Sequence, residues 1–120
     1  MSEVNDVAFG GFMVSRRVIE GVPVGYAFRE QSALSQLNGW TLYSIEDDET
    51  YVNDPMNFVI VGATTLSERV PVMLEIFNAP YGTDLAWMYT DGIHTGFWSL
   101  KADREVSIAE ILAGRVSVCA

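Results

Sequence analysis

One cysteine, one lysine and one histidine set the first limits on this 120-residue chain. Cys119 has no partner within the sequence, which rules out an internal disulfide framework and fits a reducing compartment. Seven basic residues stand against sixteen acidic ones, for a net charge of −9. A surface that tracks phosphates needs clustered cations, so neither nucleic acid nor an anionic membrane surface is an expected partner. No apolar run approaches the roughly 18 residues of a membrane-spanning helix. The opening Met1-Ser2-Glu3-Val4-Asn5-Asp6 lacks the basic start and apolar core of a signal peptide, and a cytoplasmic location is expected.

The catalytic motifs are also missing. There is no phosphate-binding Walker loop, no dinucleotide fingerprint and no Gly-x-Ser-x-Gly elbow. Paired Cys or Cys/His spacing for zinc is absent. His94 lies between Gly92 and Gly96 and reads as a solvent-exposed loop imidazole. With no partner evident for that single histidine, the sequence points away from an enzyme. No cofactor and no metal are expected.

What the chain does have is material for a core. Hydrophobic residues make up 49% of it, including six Phe, five Tyr and three Trp. A chain of this length buries roughly 65–70% of its extended surface on folding, and it reads as one domain over residues 1–120. Residues 1–8 form a loose lead-in. Phe9 to Ser15 reads as the first strand, and Arg16 to Val22 as a connector turning at Glu20-Gly21. Val24, Tyr26 and Phe28 alternate with Gly25, Ala27 and Arg29, the mark of a half-buried strand whose small residues admit a close neighbour. Arg29-Glu30 closes it as a surface ion pair. Gln31 to Asn38 is loop-like, Trp40 to Ile45 a central strand, and Phe58 to Val61 a short buried strand.

Thr65-Leu66-Ser67-Glu68 fits a capping box for a helix running through Met73, Leu74 and Phe77, with Ser67 as the alternative cap if Pro71 falls in the first turn. Leu85 to Thr90 and Phe97 to Lys101 flank Asp91-Gly92 as a hairpin with a long loop, and Leu85, Trp87 and Tyr89 share a face. Ser107 and Glu110 make a second capping box, Val106 can staple onto Ile111, and Gly114 is placed to end that helix. The expected fold is α+β: an antiparallel or mixed sheet of five to six strands with two short helices.

The run Glu46-Asp47-Asp48-Glu49-Thr50-Tyr51-Val52-Asn53-Asp54-Pro55 is the strongest local feature. As a calcium loop it fails, because counting from Asp47 the sixth residue is Val52 and the twelfth Phe58, where Gly and Glu are required. Two readings stay open. The acids form a solvated turn, or Glu46, Asp47, Asp48, Glu49, Tyr51 and Asp54 form a docking surface for a basic protein. The interleaved Tyr51 and the following Met56 and Phe58 fit the second, since aromatic and Met residues are enriched in interface cores. Arg16-Arg17 is the basic doublet available to pair with this loop. A separate reading places a small-molecule or enzymatic cleft among Trp40, Tyr26, Trp87 and Trp98, against which stands the ordinary use of such rings as core. A homodimer through an exposed strand edge is a third.

In order, these segments resemble the immunity protein 33-like domain family of small bacterial proteins. The resemblance rests on Gly10-Gly11, Val14-Ser15-Arg16-Arg17, Val24 to Glu30, Gly39-Trp40, the acids Glu46 to Glu49, Asp54-Pro55-Met56-Asn57, and Pro80 with Gly82. It covers about residues 10 to 90, and the last thirty residues have no counterpart in the pattern. It implies a noncatalytic protein that neutralises a toxin. The acidic chain complements a basic toxin surface.

Overall fold

Strand alternation determines what this molecule covers and what it leaves open. The computed structural model describes residues 10–31 and 36–113. The lead-in, residues 32–35 of the expected loop, Gly114 and Cys119 lie outside them. In chain order the elements are β1 (Gly11–Ser15), α1 (Arg16–Ile19), β2 (Val24–Arg29), β3 (Leu37–Ser44), α2 (Glu49–Val52), a 3-10 turn (Pro55–Asn57) and β4 (Phe58–Val61). They continue with α3 (Ala63–Arg69), α4 (Val72–Glu75), β5 (Asp84–Thr90), β6 (Ile93–Ser99), β7 (Arg104–Val106) and α5 (Ile108–Leu112). The strands form one mixed sheet in the order β4-β1-β3-β2-β5-β6-β7. Only the β1–β3 pairing is parallel.

The α+β class and single sheet are as expected, but the element counts are higher. Seven strands replace five or six because Arg104–Val106, too short and charged to show periodicity, pairs with the end of β6. Among the described residues five short α-helices replace two, because single turns at α1 and α2 occupy segments that read as connector and loop. The helix expected from a Thr65 cap instead starts at Ala63 with Gly62 as its cap, directly after β4. Pro71 then splits it from α4, since proline supplies no amide to the preceding turn. The hairpin loop is tight rather than long: Asp91 and Gly92 both have positive φ, 53° and 80°, and join β5 directly to β6. The Ser107–Glu110 capping box is present in both directions, and Val106 and Ile111 are both buried.

One face of the sheet carries the core. Phe12 and Val14 from β1, Ala27 from β2, Trp40 and Leu42 from β3, Leu85 and Trp87 from β5 and Phe97 from β6 are all buried. They belong to one cluster with Val18, Leu66, Met73, Ile76 and Ile111 from the helical segments. Gly25 allows the close approach anticipated for it, because a Cβ there would meet the Ile45 backbone at 2.8 Å. Phe58–Val61 is not a buried strand but the sheet edge, where Ile60 is 57% exposed.

Arg29 is the main polar tie of the core side, not half of a surface ion pair. Its position at the end of β2 points it inward, opposite Trp40. Its Nη1 donates to the carbonyls of Phe77 at 2.8 Å and Ala79 at 2.9 Å, and its Nε to Asn38 at 3.0 Å. The guanidinium also lies over the rings of Tyr81 and Phe77, at 4.7 Å and 5.0 Å. Trp40 Nε1 donates to the same Phe77 carbonyl at 3.0 Å. Carbonyls left unpaired after α4 are thereby satisfied by a side chain two strands away in sequence. Arg29→Met should lower unfolding stability by about 2–4 kcal/mol, since each hydrogen bond to a charged group contributes about 1.5–3 kcal/mol. Arg29→Lys should recover less than half, because an ammonium cannot reproduce the planar fork. Urea denaturation of the two variants checks both expectations.

Candidate functional site

α1, α3, α4 and α5 pack on one side of the sheet, and alternation sends a second set of apolar side chains to the other. Cross-strand pairing puts Met13 with Thr41 and Ile60, Tyr26 with Tyr43 and Ala86, and Phe28 with Asp84 on this opposite face. Trp98 joins them opposite Ala86. α2 meets this face at its Phe58 end through Tyr51, and the remaining rings are partly exposed. The rings touch in a file. Centroids are 5.4 Å apart for Tyr26–Phe28, 5.6 Å for Tyr26–Tyr43, 5.6 Å for Tyr43–Phe58 and 6.3 Å for Phe58–Tyr51. Tyr51 therefore connects the file to the acidic run. Burial, then Glu30 and Asp47, push the Tyr43 phenol above its ordinary range. Burial, then Asp84, does the same for Tyr26. Both stay protonated donors.

The acidic run is a built turn. Asp48 caps α2 by accepting from the Tyr51 amide at 2.8 Å, and Asp54 caps the 3-10 turn by accepting from Met56 at 2.9 Å. Asn57 Nδ2 donates to the Tyr51 carbonyl, closing the two turns on each other. The basic doublet anchors them. Arg16 Nε donates to the Met56 carbonyl at 2.7 Å, and Arg17 Nη1 donates to the Glu46 carbonyl at 3.0 Å and to Asp47 Oδ1 at 3.2 Å. The Arg17 guanidinium also lies 4.0 Å above the Tyr51 ring.

The six residues singled out in the sequence thus come together, in different roles. Glu46, Asp48, Glu49 and Asp54 are exposed. Tyr51 is half-buried, its hydroxyl between Ser15 Oγ and the Asn57 carbonyl. The Asp47 side chain has 0% exposure and is held by the Ser44 hydroxyl at 2.6 Å and the Ser44 amide at 2.8 Å. It organises the turn from inside. Burial works against its charge, but Ser44, Ser15 and Arg17 outweigh that and hold its pKa below the ordinary carboxylate value.

The four-ring cleft does not form. Trp40 and Trp87 lie in the core at 1% and 6% exposure, whereas Tyr26 and Trp98 lie on the opposite face. Alternation separates them. A depression of about 490 Å³ lies on the helix side and is lined in part by Val18, Glu68, Arg69, Trp87, Tyr89 and His94. His94 is not a loop residue. It sits in β6, packed 4.9 Å from Trp87 and 4.8 Å from Phe97, and burial lowers its pKa although the Gly96 backbone opposes this. The Tyr89 hydroxyl closes the same region by donating to the Val24 carbonyl at 2.5 Å, and burial pushes its pKa up to about 12. Among the described residues no group of three or more His, Cys, Asp or Glu is placed to hold a metal ion.

The sequence pattern missed the outward rings as a surface. Their signal was the Val24–Arg29 and Trp40–Ile45 alternation, which was apolar on both faces while two short helices were expected.

Because the folded Asp47 pKa is depressed, its contribution to stability is present above the unfolded carboxylate pKa of about 3.9 and is lost as pH falls through the folded value. Asp47→Asn should cost about 1–3 kcal/mol at pH 7, with a smaller penalty as pH drops toward 2. Thermal melts of both proteins across that range measure it.

No curated protein and no solved structure matches the chain. The family model described as the immunity protein Imm33 domain matches residues 12–95, which takes in β1 to β5, the acidic turn and the ring file. Immunity proteins bind cognate toxins and are typically noncatalytic, and by this match over most of its length the chain belongs to the immunity protein Imm33 domain family.

Proposed function

We propose that the chain neutralises a basic toxin by docking it on the open face of the sheet, with the acidic turn at one end of the contact. The observation that carries this reading is the continuous file of rings from Phe28 and Tyr26 through Tyr43 and Phe58 to Tyr51, ending beside Glu46, Asp48, Glu49 and Asp54. Clustered, partly exposed aromatics supply the area that anchors an interface, and single-sign charge at its rim steers the encounter. Exposed Met56 at 73% and Ile45 at 56% add apolar surface around the turn. The net charge of −9 favours a cationic partner over an anionic one. The docking acts by occlusion, and no group of the chain takes part in chemistry. The encounter belongs in the reducing cytoplasm expected from the single cysteine.

Two variant sets separate steering from anchoring. The partner is first captured from host lysate at low and moderate salt, identified by mass spectrometry and purified. Glu46→Lys with Asp48→Lys and Glu49→Lys should slow association by about tenfold or more and flatten its salt dependence. Tyr43→Ser or Phe58→Ser should leave association nearly unchanged and speed dissociation by about tenfold or more. Surface plasmon resonance reads both rates. Association with the captured toxin that is unchanged by charge reversal, together with dissociation unchanged by ring removal, would remove this face from the interface.

A further inference from the structure

On the helix side of the sheet, a concavity and two buried polar atoms without partners coincide. The depression of about 490 Å³ takes apolar walls from Val18, Val22, Pro23, Val70, Pro71 and Val72, which belong to α1, the connector before β2 and the α3–α4 segment. Trp87 of β5 and His94 of β6 line it from the sheet, their ring centroids 4.9 Å apart. Trp87 Nε1 and His94 Nε2 are both closed to solvent, and neither makes a hydrogen bond. Tyr89, in the same lining, is satisfied, because its hydroxyl donates to the Val24 carbonyl. A buried polar atom left unpaired costs stability, and a ligand that pairs it returns that cost as affinity.

The two atoms make opposite demands. An indole nitrogen can only donate. His94 Nε2 accepts: burial keeps the imidazole neutral, and the Gly96 backbone contact that favours its protonated form takes the hydrogen of the other ring nitrogen. One amide group answers both, because its carbonyl and its N–H sit on different atoms, as the two ring nitrogens do. A carboxylate or an ether oxygen brings no donor. The rest of the lining selects no ion, since Glu68 and Arg69 oppose each other and the other lining side chains are uncharged. Water does not meet the demand either. The His94 ring is held against Trp87, Tyr89 and Phe97 at centroid distances of 4.8–5.5 Å, and it turns out of this packing to admit a ligand. Water returns none of that contact, whereas an apolar body seated on the valine and proline walls does. We propose that this depression is a small-molecule site, independent of the toxin-docking face, for a neutral apolar compound carrying one primary or secondary amide. The amide carbonyl accepts from Trp87 Nε1, its N–H donates to His94 Nε2, and the apolar body lies against Val22, Pro23, Val70 and Pro71. Apolar walls with a few convergent polar groups are the usual make-up of such sites.

The test uses the full isotope-labelled chain, with cyclohexanecarboxamide as the probe. Its three tryptophans give separate indole N–H signals by NMR. The Trp87 signal should shift saturably. Trp40, already bonded to the Phe77 carbonyl, and Trp98, on the opposite face, should stay in place. Three comparison probes separate the parts of the claim. N,N-dimethylcyclohexanecarboxamide lacks the donor, cyclohexanecarboxylate carries a charge and no donor, and acetamide lacks the apolar body. Each should bind about tenfold more weakly, the scale of one buried group left unpaired or of the lost apolar contact. His94→Phe keeps a ring in the packing and removes the acceptor. It should weaken carboxamide binding about tenfold and erase the preference over the dimethyl amide, which a purely structural role for His94 would not do. A Trp87 signal unmoved up to the solubility limit of the probe would overturn the proposal. So would equal affinity for the two amides, preference for the carboxylate, or undiminished binding by His94→Phe. Displacement of the probe by purified toxin would make the occupant a protein side chain and overturn the small-molecule assignment.

Discussion

The structure depends on an imbalance between a wide sheet and too little helix to cover it. Seven strands present apolar residues on both faces, and the described helices are each seven residues or fewer. One face gains a continuous core of Phe12, Val14, Trp40, Leu42, Leu85 and Trp87. The other is left with Tyr26, Phe28, Tyr43 and Phe58 shielding one another at ring distances of 5.4–5.6 Å. A register slip of one residue would exchange the two sets, so core packing and the outward surface are fixed by the same pairing.

Scarce cations reinforce this division. Arg29 is used inside, where it gathers the Phe77, Ala79 and Asn38 carbonyls and pins the segment after α4 to the end of β2. Arg16 and Arg17 are used at the turn, where they hold Glu46, Asp47 and Met56 in place. Structural roles thus absorb much of the positive charge, and among the described residues the exposed carboxylates Glu46, Asp48, Glu49 and Asp54 take part in no ion pair. A preorganised acidic turn loses less conformational freedom on binding than a flexible one, which suits a surface that must capture a partner quickly.

Much of this was legible in the sequence wherever a local rule decided the outcome. Alternation placed β2 and β3, and the Ser107–Glu110 spacing marked α5, because strand and cap geometries are set within a few residues. The Asp91-Gly92 turn was also visible, yet Gly92 and Gly96 around His94 read as a long loop. The pairing of Tyr89 with His94 and of Thr90 with Ile93 is what makes that segment a strand. The destinations of long side chains were not legible. Arg29 looked like half of a surface pair because its partners are carbonyls about fifty residues away. Asp47 looked equivalent to its neighbours until Ser44 and Arg17 closed around it. The grouping of Trp40, Trp87, Tyr26 and Trp98 failed because composition carries no information on which face a ring takes. The residue file of the open face depends on strand order, and no local pattern encodes that order.

The central claim is that the uncovered face, rather than the helix-side depression, meets the toxin. The most direct measurement is solvent protection of aromatic side chains by NMR in the free chain and in its complex with the purified toxin. Tyr26, Phe28, Tyr43 and Phe58 should lose solvent contact on binding, while Trp87, Tyr89 and His94 keep their free-state signals. Protection confined to Trp87, Tyr89 and His94, with the ring file still open to water, would contradict the account.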